Sequence, residues 1–310
     1  MKYPIIIGIS LHPAITLKGE LMVKYSALHP ATFKLDGGAM FGIIPKPLWE
    51  KQIPADELNR IHLSLRVLCI QTDSRVILID TGIGDYHDGK FSQRFAITGS
   101  SDPLLNVLKS ELNLAPEDVT DVIVTHLHFD HVGGLGNSSG DFLFPEARLH
   151  LHKTHYDYSL KPTQRDMGSF QTQYSHPVIQ KLDQQKRVVW HQGEDGTILN
   201  DGSYQLQFKC SHGHTPWLLH PYDEKLIYMA DLVPTAAHVP IPWVMGYDIA
   251  PGRTTLDKEQ FYAFITEKNL VMIFEHDIKR WGARVQLSGH DAKVSQEFAS
   301  TGQACESLPL

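Results

Sequence analysis

The sequence predicts an α/β protein, because segments of strand-like composition alternate along the chain with segments of helical periodicity. The strand-like segments are short runs rich in β-branched residues, such as residues 121–125. The helical segments place apolar residues on one face, as the leucines after Pro103 do. A third observation is that side chains able to bind a metal ion follow directly after several predicted strands.

The first clear element is a predicted β-hairpin, in which residues 63–70 and 75–79 pair across the polar turn 71–74. Upstream of it, residues 36–49 are glycine-rich and then apolar, and they are too irregular for a helix. Two interpretations of this upstream segment stay open: a loop that overhangs a site, and an N-terminal strand and turn that pack on the core. Further on, residues 153–190 are polar and are predicted to be helical. The sequence assigns no function to them.

Two helices are predicted from their N-terminal signals and their apolar faces. Asp102 is expected to cap a helix with Pro103 in its first turn, and Thr255 is expected to cap a second helix. The apolar faces comprise Leu104, Leu105, Leu108 and Leu112 in the first helix, and Phe261, Phe264 and Ile265 in the second.

The most informative segment is Thr-His-Leu-His-Phe-Asp-His-Val-Gly-Gly at residues 125–134, which directly follows a strand-like run. It places four potential metal ligands within six residues: His126, His128, Asp130 and His131. Imidazole nitrogens and a carboxylate oxygen suit a borderline divalent ion such as zinc, and the segment contains no cysteine. The Gly-Gly pair is expected to let the backbone turn sharply beside this cluster.

This segment resembles the signature of the metallo-β-lactamase fold superfamily of metal-dependent hydrolases. The family's other motifs are expected in a fixed order, each at the end of a strand, and the sequence contains matches to them. His214 lies in a Gly-His-Thr-Pro context, and Asp231 and His276 each follow an apolar run. Upstream, Asp80 lies in an Asp-Thr-Gly motif after the hairpin. The motifs cover residues 80–276 in order.

The resemblance implies an αββα sandwich, with two mixed β-sheets flanked by helices and the metal site in the cleft between the sheets. It also implies two divalent metal ions, for which the ligand set favours zinc. The implied ligands are His126, His128 and His214 for one ion and Asp130, His131 and His276 for the other, with Asp231 between them. Asp80 would orient a ligand histidine by accepting its other ring proton.

Departures from the family's patterns narrow the function. His128 stands where the family's diiron oxidoreductases have glutamate, and Asp231 stands where one class of true β-lactamases has cysteine. A redox role and drug hydrolysis are therefore not implied. Pro234 occupies the position of a tyrosine in the acyl-homoserine lactonases. Help for the leaving group must then come from metal alone, from His238 or from Tyr247. Together with the metal-ligand carboxylates, the candidate catalytic residues are Asp130, Asp231, His238 and Tyr247.

Two segments predict a largely apolar substrate pocket. Residues 36–49 contribute Met40 and Phe41, and residues 240–248 contribute Trp243 and Met245. The first of these segments resembles one in a lactonase-like branch of the superfamily that includes quorum-quenching enzymes and, more distantly, organophosphate hydrolases.

Other histidines could compete as ligands. His150 and His152 repeat the His-x-His spacing, but in a strand they would share one face, and they are interpreted as solvated histidines or partners of a ligand. His212 lies close to His214, yet Thr-Pro follows only the latter.

Composition bounds the remaining properties. Residues 1–310 are expected to form one domain, since no linker is visible. A net charge of −7 argues against nucleic acid as a substrate. The three cysteines are widely spaced, which predicts free thiols. The apolar start is too short for a signal peptide, and no apolar stretch is long enough to span a membrane. Together these features predict a cytoplasmic protein that does not enter a membrane. A homodimer stays open as the assembly.

The predicted activity is hydrolysis of a small-molecule lactone or carboxylic ester by a hydroxide held between two zinc ions. Phosphotriester hydrolysis and a glyoxalase II-like thioesterase activity are the alternatives within the same family. A diiron oxidoreductase is less favoured, because no Gly-x-Gly-x-x-Gly cofactor loop is present. A non-catalytic metal-stabilised protein is less favoured because the ligand set suffices for a catalytic pair.

Overall fold

The computed structural model describes residues 23–99, 102–289 and 291–310. The apolar start, from which we predicted that the sequence has no signal peptide, lies outside the described residues. The strands of the described part are β1 (Lys24–Leu28), β2 (Thr32–Asp36), β3 (Arg60–Ser64), β4 (Val67–Gln71), β5 (Val76–Ile79), β6 (Asp121–Ile123), β7 (Arg148–His152), β8 (Val188–His191), β9 (Asp195–Asn200), β10 (Gln205–Ser211), β11 (Leu218–Tyr222), β12 (Leu226–Tyr228), β13 (Val271–Ile273), β14 (Arg280–Ser288), β15 (Asp291–Ala299) and β16 (Cys305–Leu308). The α-helices are α1 (Gly37–Phe41), α2 (Lys46–Trp49), α3 (Gly89–Phe95), α4 (Pro103–Leu112), α5 (Phe129–Val132), α6 (Lys153–Ser159), α7 (Thr172–Gln184) and α8 (Pro251–Lys268).

Two seven-stranded sheets dominate the fold, and both are mixed. The first has the order β16-β1-β4-β5-β6-β7-β8, in which β5 to β8 run parallel. The second has the order β15-β14-β13-β12-β11-β10-β9, in which β12 and β13 are the parallel pair. Strands β2 and β3 form a separate two-stranded sheet.

The core has three layers of apolar contact. Ile79 and Ile123 of the first sheet pack in one cluster with Tyr228 and Ile273 of the second, between the two sheets. Helices α4 and α7 cover the outer face of the first sheet, and α8 covers that of the second. Burial of these faces is the main source of stability for such a layered domain. The predicted αββα sandwich is confirmed.

The predicted hairpin is confirmed as β4 and β5, but the run at residues 63–70 is not one strand. It is divided between β3 and β4, which belong to different sheets. The break contains Arg66, a fully buried side chain that donates hydrogen bonds to the main-chain carbonyls of Phe274 and Asp277. These bonds tie the break to the segment that follows β13.

Both helices predicted from capping signals exist, but neither predicted cap is observed. Helix α4 begins at Pro103, whereas Asp102 has a φ of 48° and makes no capping hydrogen bond. Thr255 lies inside α8, which begins at Pro251, and its hydroxyl donates to the Gly252 carbonyl. The proline at the first helical position therefore marks each start, because its missing N–H needs no partner there.

The segment at residues 36–49 is not an irregular loop, because it contains the short helices α1 and α2. The Asp36 carboxylate accepts a hydrogen bond from the Ala39 amide at 2.8 Å and caps α1. The predicted helical character of residues 153–190 is confirmed by α6 and α7. No helix of the described residues is long and apolar enough to cross a membrane. Cys69, Cys210 and Cys305 are all free thiols.

Candidate metal centre

The potential ligands gather where strands of both sheets end at one edge of the sandwich. His126, His214, Asp231 and His276 each lie three residues beyond the end of β6, β10, β12 and β13, respectively. Asp80 directly follows β5. Parallel neighbours deliver their carboxyl ends to the same edge, so the pairs β5–β6 and β12–β13 bring distant parts of the sequence together.

One group of ligand atoms comprises three imidazole nitrogens and one carboxylate oxygen, all within 4.8 Å of one another: His126, His128, His214 and Asp231. Nδ1 of His128 lies 3.1 Å from Nε2 of His126 and 3.1 Å from Nε2 of His214. Oδ2 of Asp231 lies 3.1 Å from Nε2 of His214. All four side chains are buried.

A second group contains Asp130, His131 and His276. Oδ2 of Asp130 lies 3.7 Å from Nε2 of His276 and 3.9 Å from Nε2 of His131. The other oxygen of Asp231, Oδ1, lies 3.1 Å from Nε2 of His276. Oδ2 of Asp231 also lies 3.5 Å from Nε2 of His131, so the carboxylate of Asp231 lies between the two groups and contacts both.

The two groups fit divalent metal ions. Ligand atoms bound tetrahedrally to zinc at about 2.0–2.1 Å would lie roughly 3.3 Å apart, which is close to the separations in the first group. Nε2 of His131 is buried and has no hydrogen-bond partner among the described residues. Such a nitrogen costs free energy unless something accepts its lone pair, and a metal ion would do so.

Hydrogen bonds on the far side of each ring orient the ligand nitrogens. Nδ1 of His131 donates to Asp80 at 3.0 Å, which agrees with the predicted role of Asp80. Nδ1 of His214 donates to Asp248 at 3.0 Å, and Nδ1 of His276 donates to the Ser64 carbonyl at 2.8 Å. Each bond leaves the Nε2 lone pair directed into the cluster.

His126 is oriented through a relay rather than directly. Its Nδ1 lies 3.0 Å from the Thr125 hydroxyl, which in turn donates to Asp80 at 2.8 Å. The amide of Thr125 also donates to Asp80, at 2.7 Å. Asp80 thus supports one histidine of each group, and its φ of 61°, uncommon for a residue other than glycine, aims its carboxylate between them.

Three partners of the ligands lack a local sequence signal. Asp248 and Ser64 are remote in sequence from the histidines that they hold. Glu275 is fully buried, and its Oε2 lies 2.8 Å from Nδ1 of His131. Burial raises the pKa of Glu275 to about 8. Its adjacency to His276 in the sequence was the one available hint.

The charge states of the histidines differ between positions. Burial lowers the pKa of His126 and His128 well below the usual range, which keeps both rings neutral. Burial also opposes charge on His214, but the carboxylates of Asp231 and Asp248 outweigh it and raise its pKa to about 9. Metal binding at His214 would therefore displace a proton.

The glycines beside the cluster are required for close approach rather than for a sharp turn. A Cβ atom on Gly133 would lie 2.2 Å from the Ile83 carbonyl oxygen, and one on Gly134 would lie 2.2 Å from the Thr81 carbonyl oxygen. The φ of Gly133 is −60°, which any residue can adopt. The segment after β5 thus packs directly on the ligand segment.

A cavity of about 260 Å³ opens onto both groups. It is reached by His128, Asp130, His214, Asp231 and His276, and its other walls are formed by Leu35, Met40, Phe95, Phe129, Arg165, Gly168, Ser169, Met245 and Tyr247. The predicted pocket residues Met40 and Met245 and the candidate Tyr247 are in this lining. The segment between α6 and α7 also reaches the cavity, through Arg165, Gly168 and Ser169.

Comparison with known proteins decides the family. Residues 67–276 match the Metallo-beta-lactamase superfamily, which is more than half of the chain. The chain belongs to this superfamily. The predicted resemblance is confirmed.

Individual relatives agree with this assignment. A probable metal-dependent hydrolase from Staphylococcus aureus has a similar structure, with a TM-score of 0.78, 26% identity and coverage of 91% of this chain and 98% of that one. A probable metallo-hydrolase of Mycobacterium bovis is 29% identical over 36% of this chain and 38% of its own length. An N-acyl homoserine lactonase of Bacillus thuringiensis is 31% identical over 32% of this chain and 41% of its own length. The match thus spans about two fifths of these curated relatives.

Two predicted pocket residues of this superfamily member lie outside the cavity lining. Phe41 is fully buried and stacks between Trp49 and His238, with ring centroids 5.3 and 4.6 Å away. Trp243 contacts the edge of Phe41 at 5.8 Å. Both aromatic rings support the wall that carries Met40 rather than facing the cavity.

His238 is not available to a substrate, contrary to expectation. It is fully buried, its Nε2 donates to the Met40 carbonyl at 2.8 Å, and its Nδ1 accepts from the Thr235 hydroxyl at 2.8 Å. Burial lowers its pKa to about 3. Both ring nitrogens are engaged, so His238 fixes the position of Met40.

The competing histidines lie outside both ligand groups. His150 contacts Asp121 at 3.0 Å and His191 at 3.1 Å, and His152 donates to the Gly193 carbonyl. Both are buried rather than solvated. His212 contacts Glu194 at 2.8 Å. His214, the candidate in the Thr-Pro context, is the one that reaches the cluster.

Proposed function

We propose that this chain is a binuclear metal-dependent hydrolase of lactones or carboxylic esters. The observation that carries the proposal is the position of Asp231, whose two oxygens lie 3.1 Å from His214 and 3.1 Å from His276, in two separate groups. A carboxylate so placed would fix the spacing of two ions. The cavity above it has mainly apolar walls, which suit an acyl or alkyl group.

The ligand sets assign a place to each ion. His126, His128 and His214 would hold one, and Asp130, His131 and His276 would hold the other, with Asp231 shared. When bound, two such ions, zinc being favoured by the nitrogen and oxygen ligands, would supply a water of lowered pKa and an electrophile for the carbonyl oxygen. The chain itself contributes buried ligand side chains that are held by hydrogen bonds, and a cavity with mainly apolar walls.

Tyr247 is the candidate that would assist the leaving group. Its side chain lines the cavity, and its hydroxyl has no partner among the described residues. Burial raises its pKa to about 12, so it keeps its proton at neutral pH. It can therefore donate a hydrogen bond to a departing alkoxide oxygen, the task that Pro234 cannot perform.

The relatives named N-acyl homoserine lactonase favour a lactone among the esters, although the match spans less than half of their length. Phosphotriesters and thioesters are the alternative substrates. A panel of lactones, aryl esters, thioesters and phosphotriesters separates these classes through kcat/KM. We expect lactones or aryl esters to be hydrolysed best. A clear preference for thioesters or phosphotriesters would contradict the substrate class and leave the metal site standing.

A further inference from the structure

We propose that the cavity contains a separate carboxylate-binding site built on Arg165, so that the preferred substrate is an ester or lactone that also carries a free carboxylate. This inference rests on the proposed hydrolase function, because the ligand groups and Arg165 must contact one substrate. Arg165 lies between α6 and α7 and lines the same cavity as Asp130 and Asp231.

The guanidinium of Arg165 is held in place along one edge. Its Nε donates to the Asp248 carbonyl at 3.2 Å, and its Nη2 donates to the Gly246 carbonyl. These carbonyls flank Tyr247, and the carboxylate of Asp248 is itself bound to His214. The head group is therefore fixed to the loop that forms one wall of the cavity, which reduces the entropy lost on binding a ligand.

The opposite edge of the guanidinium has no hydrogen-bond partner in the part of the chain that the structure describes. An arginine has five N–H donors, and the described residues accept two of those of Arg165. The side chain is exposed. Nη1 and the remaining proton of Nη2 form the fork that pairs with a carboxylate in a bidentate manner.

No acidic side chain of the described residues compensates the charge of Arg165. The neighbouring Asp166 is buried and accepts from Tyr158 and Thr163, each at 2.6 Å. The Asp248 carboxylate is occupied by His214 and Thr254. An uncompensated cation beside apolar walls favours an anionic partner, because hydrogen bonds between two charged groups are stronger than those between neutral groups.

The ligand is assigned as a carboxylate rather than a phosphate. Arg165 is the one lysine or arginine among the described residues that line this cavity. A single guanidinium balances one negative charge and matches the planar carboxylate fork, whereas a phosphate dianion would need a second cation. The net charge of −7 also argues against a polyanionic ligand.

The test compares two 4-nitrophenyl esters that differ only at the far end of the acyl chain: the glutaric acid monoester, which ends in a carboxylate, and its carboxamide analogue. We expect wild type to prefer the carboxylate ester in kcat/KM, and Arg165→Gln to lower that preference about tenfold or more. Arg165→Lys keeps the charge but loses the bidentate fork, so its preference for the carboxylate ester should lie between those of wild type and Arg165→Gln. Arg148→Gln, at an exposed arginine on β7, is the matched control and should keep the wild-type ratio.

A binding measurement separates this inference from the hydrolase proposal. Isothermal titration calorimetry of the metal-loaded chain compares glutarate, which has two carboxylates, with its monoamide, which has one. Wild type should bind glutarate more tightly. Equal affinities in wild type, or an ester preference unchanged in Arg165→Gln, would overturn the Arg165 site even if neutral esters are hydrolysed. Tighter glutarate binding without hydrolysis of any ester would support the site and contradict the proposed activity.

Discussion

Nδ1 of His214 donates a hydrogen bond to Oδ1 of Asp248 at 3.0 Å, across 34 positions of sequence. The bond directs the Nε2 lone pair of His214 into the candidate metal site, and it connects that site to the loop that carries Tyr247. Partners of this kind raise the basicity of a ligand histidine and fix its ring. This hydrogen bond therefore holds the loop that carries Tyr247 against the candidate metal site.

Replacing Asp248 with Asn should weaken metal binding roughly 10–100-fold, because the neutral amide orients His214 less strongly. Competition between the protein and a chelator for zinc measures the change. Thr254→Val is the matched control, since it removes a different side-chain hydrogen bond to the Asp248 carboxylate and leaves the His214 contact intact. An affinity equal to wild type in Asp248→Asn would show that His214 does not depend on this carboxylate.

Replacing Asp80 with Ala should weaken metal retention by a similar factor of about 10–100. Asp80 supports His131 directly and His126 through Thr125, so both ions should be affected. The variant also leaves the buried Thr125 amide without its acceptor, which costs about 1–3 kcal/mol of folding free energy. Metal content after dialysis and urea unfolding of the metal-free protein separate the two effects, and unchanged metal retention would remove Asp80 from the site.

The ligand groups were predicted from the resemblance to the family's motifs, and the local pattern adds that His126, His214, Asp231 and His276 each lie three residues beyond a strand end. Asp248, Ser64 and Glu275 could not be assigned as partners, since their contacts depend on the approach of remote segments. Local composition identified the segments near the cavity but not the direction of each side chain.

The misassigned pocket residues illustrate the same limit. An apolar type such as Phe41 suits a cavity wall and a packed core equally well, and its stacking between Trp49 and His238 decides for the core. The caps predicted at Asp102 and Thr255 failed because proline at the first helical position set the helix starts. The two mixed sheets followed from the family resemblance rather than from periodicity.

Replacing Tyr247 with Phe should lower kcat/KM for alkyl lactones roughly tenfold, because the departing alkoxide loses a hydrogen-bond donor. A 4-nitrophenolate leaving group is stable without such help, so aryl esters should be affected less. Rates on the two substrate types measure the difference. Equal losses on both would assign Tyr247 a role in shaping the cavity only.

Buried histidines outside the ligand groups predict acid sensitivity. Burial lowers the pKa of His155 to about 4 and that of His220 and His238 to about 3, against about 6.5 in an unfolded chain. Below pH 6.5 the unfolded chain binds protons that the folded chain does not. The contribution of these histidines to the free energy of unfolding is therefore fully present above pH 6.5 and is lost as the pH is lowered toward 4.

The measurement is urea unfolding at pH 7 and pH 5 in one metal state. Each such histidine should contribute about 2 kcal/mol to the loss between those values. His220→Gln should reduce the pH dependence by that amount, whatever its effect on stability at pH 7. A pH dependence identical to wild type in His220→Gln would contradict the neutral burial of this ring.

The metal content of the purified chain tests the central claim most directly. Elemental analysis of protein produced with ample zinc should find about two ions per chain, and Asp231→Ala should lower metal content and ester hydrolysis together, because Asp231 contacts both ligand groups. No more than one tightly bound ion in wild type, or full activity in Asp231→Ala, would contradict the binuclear site.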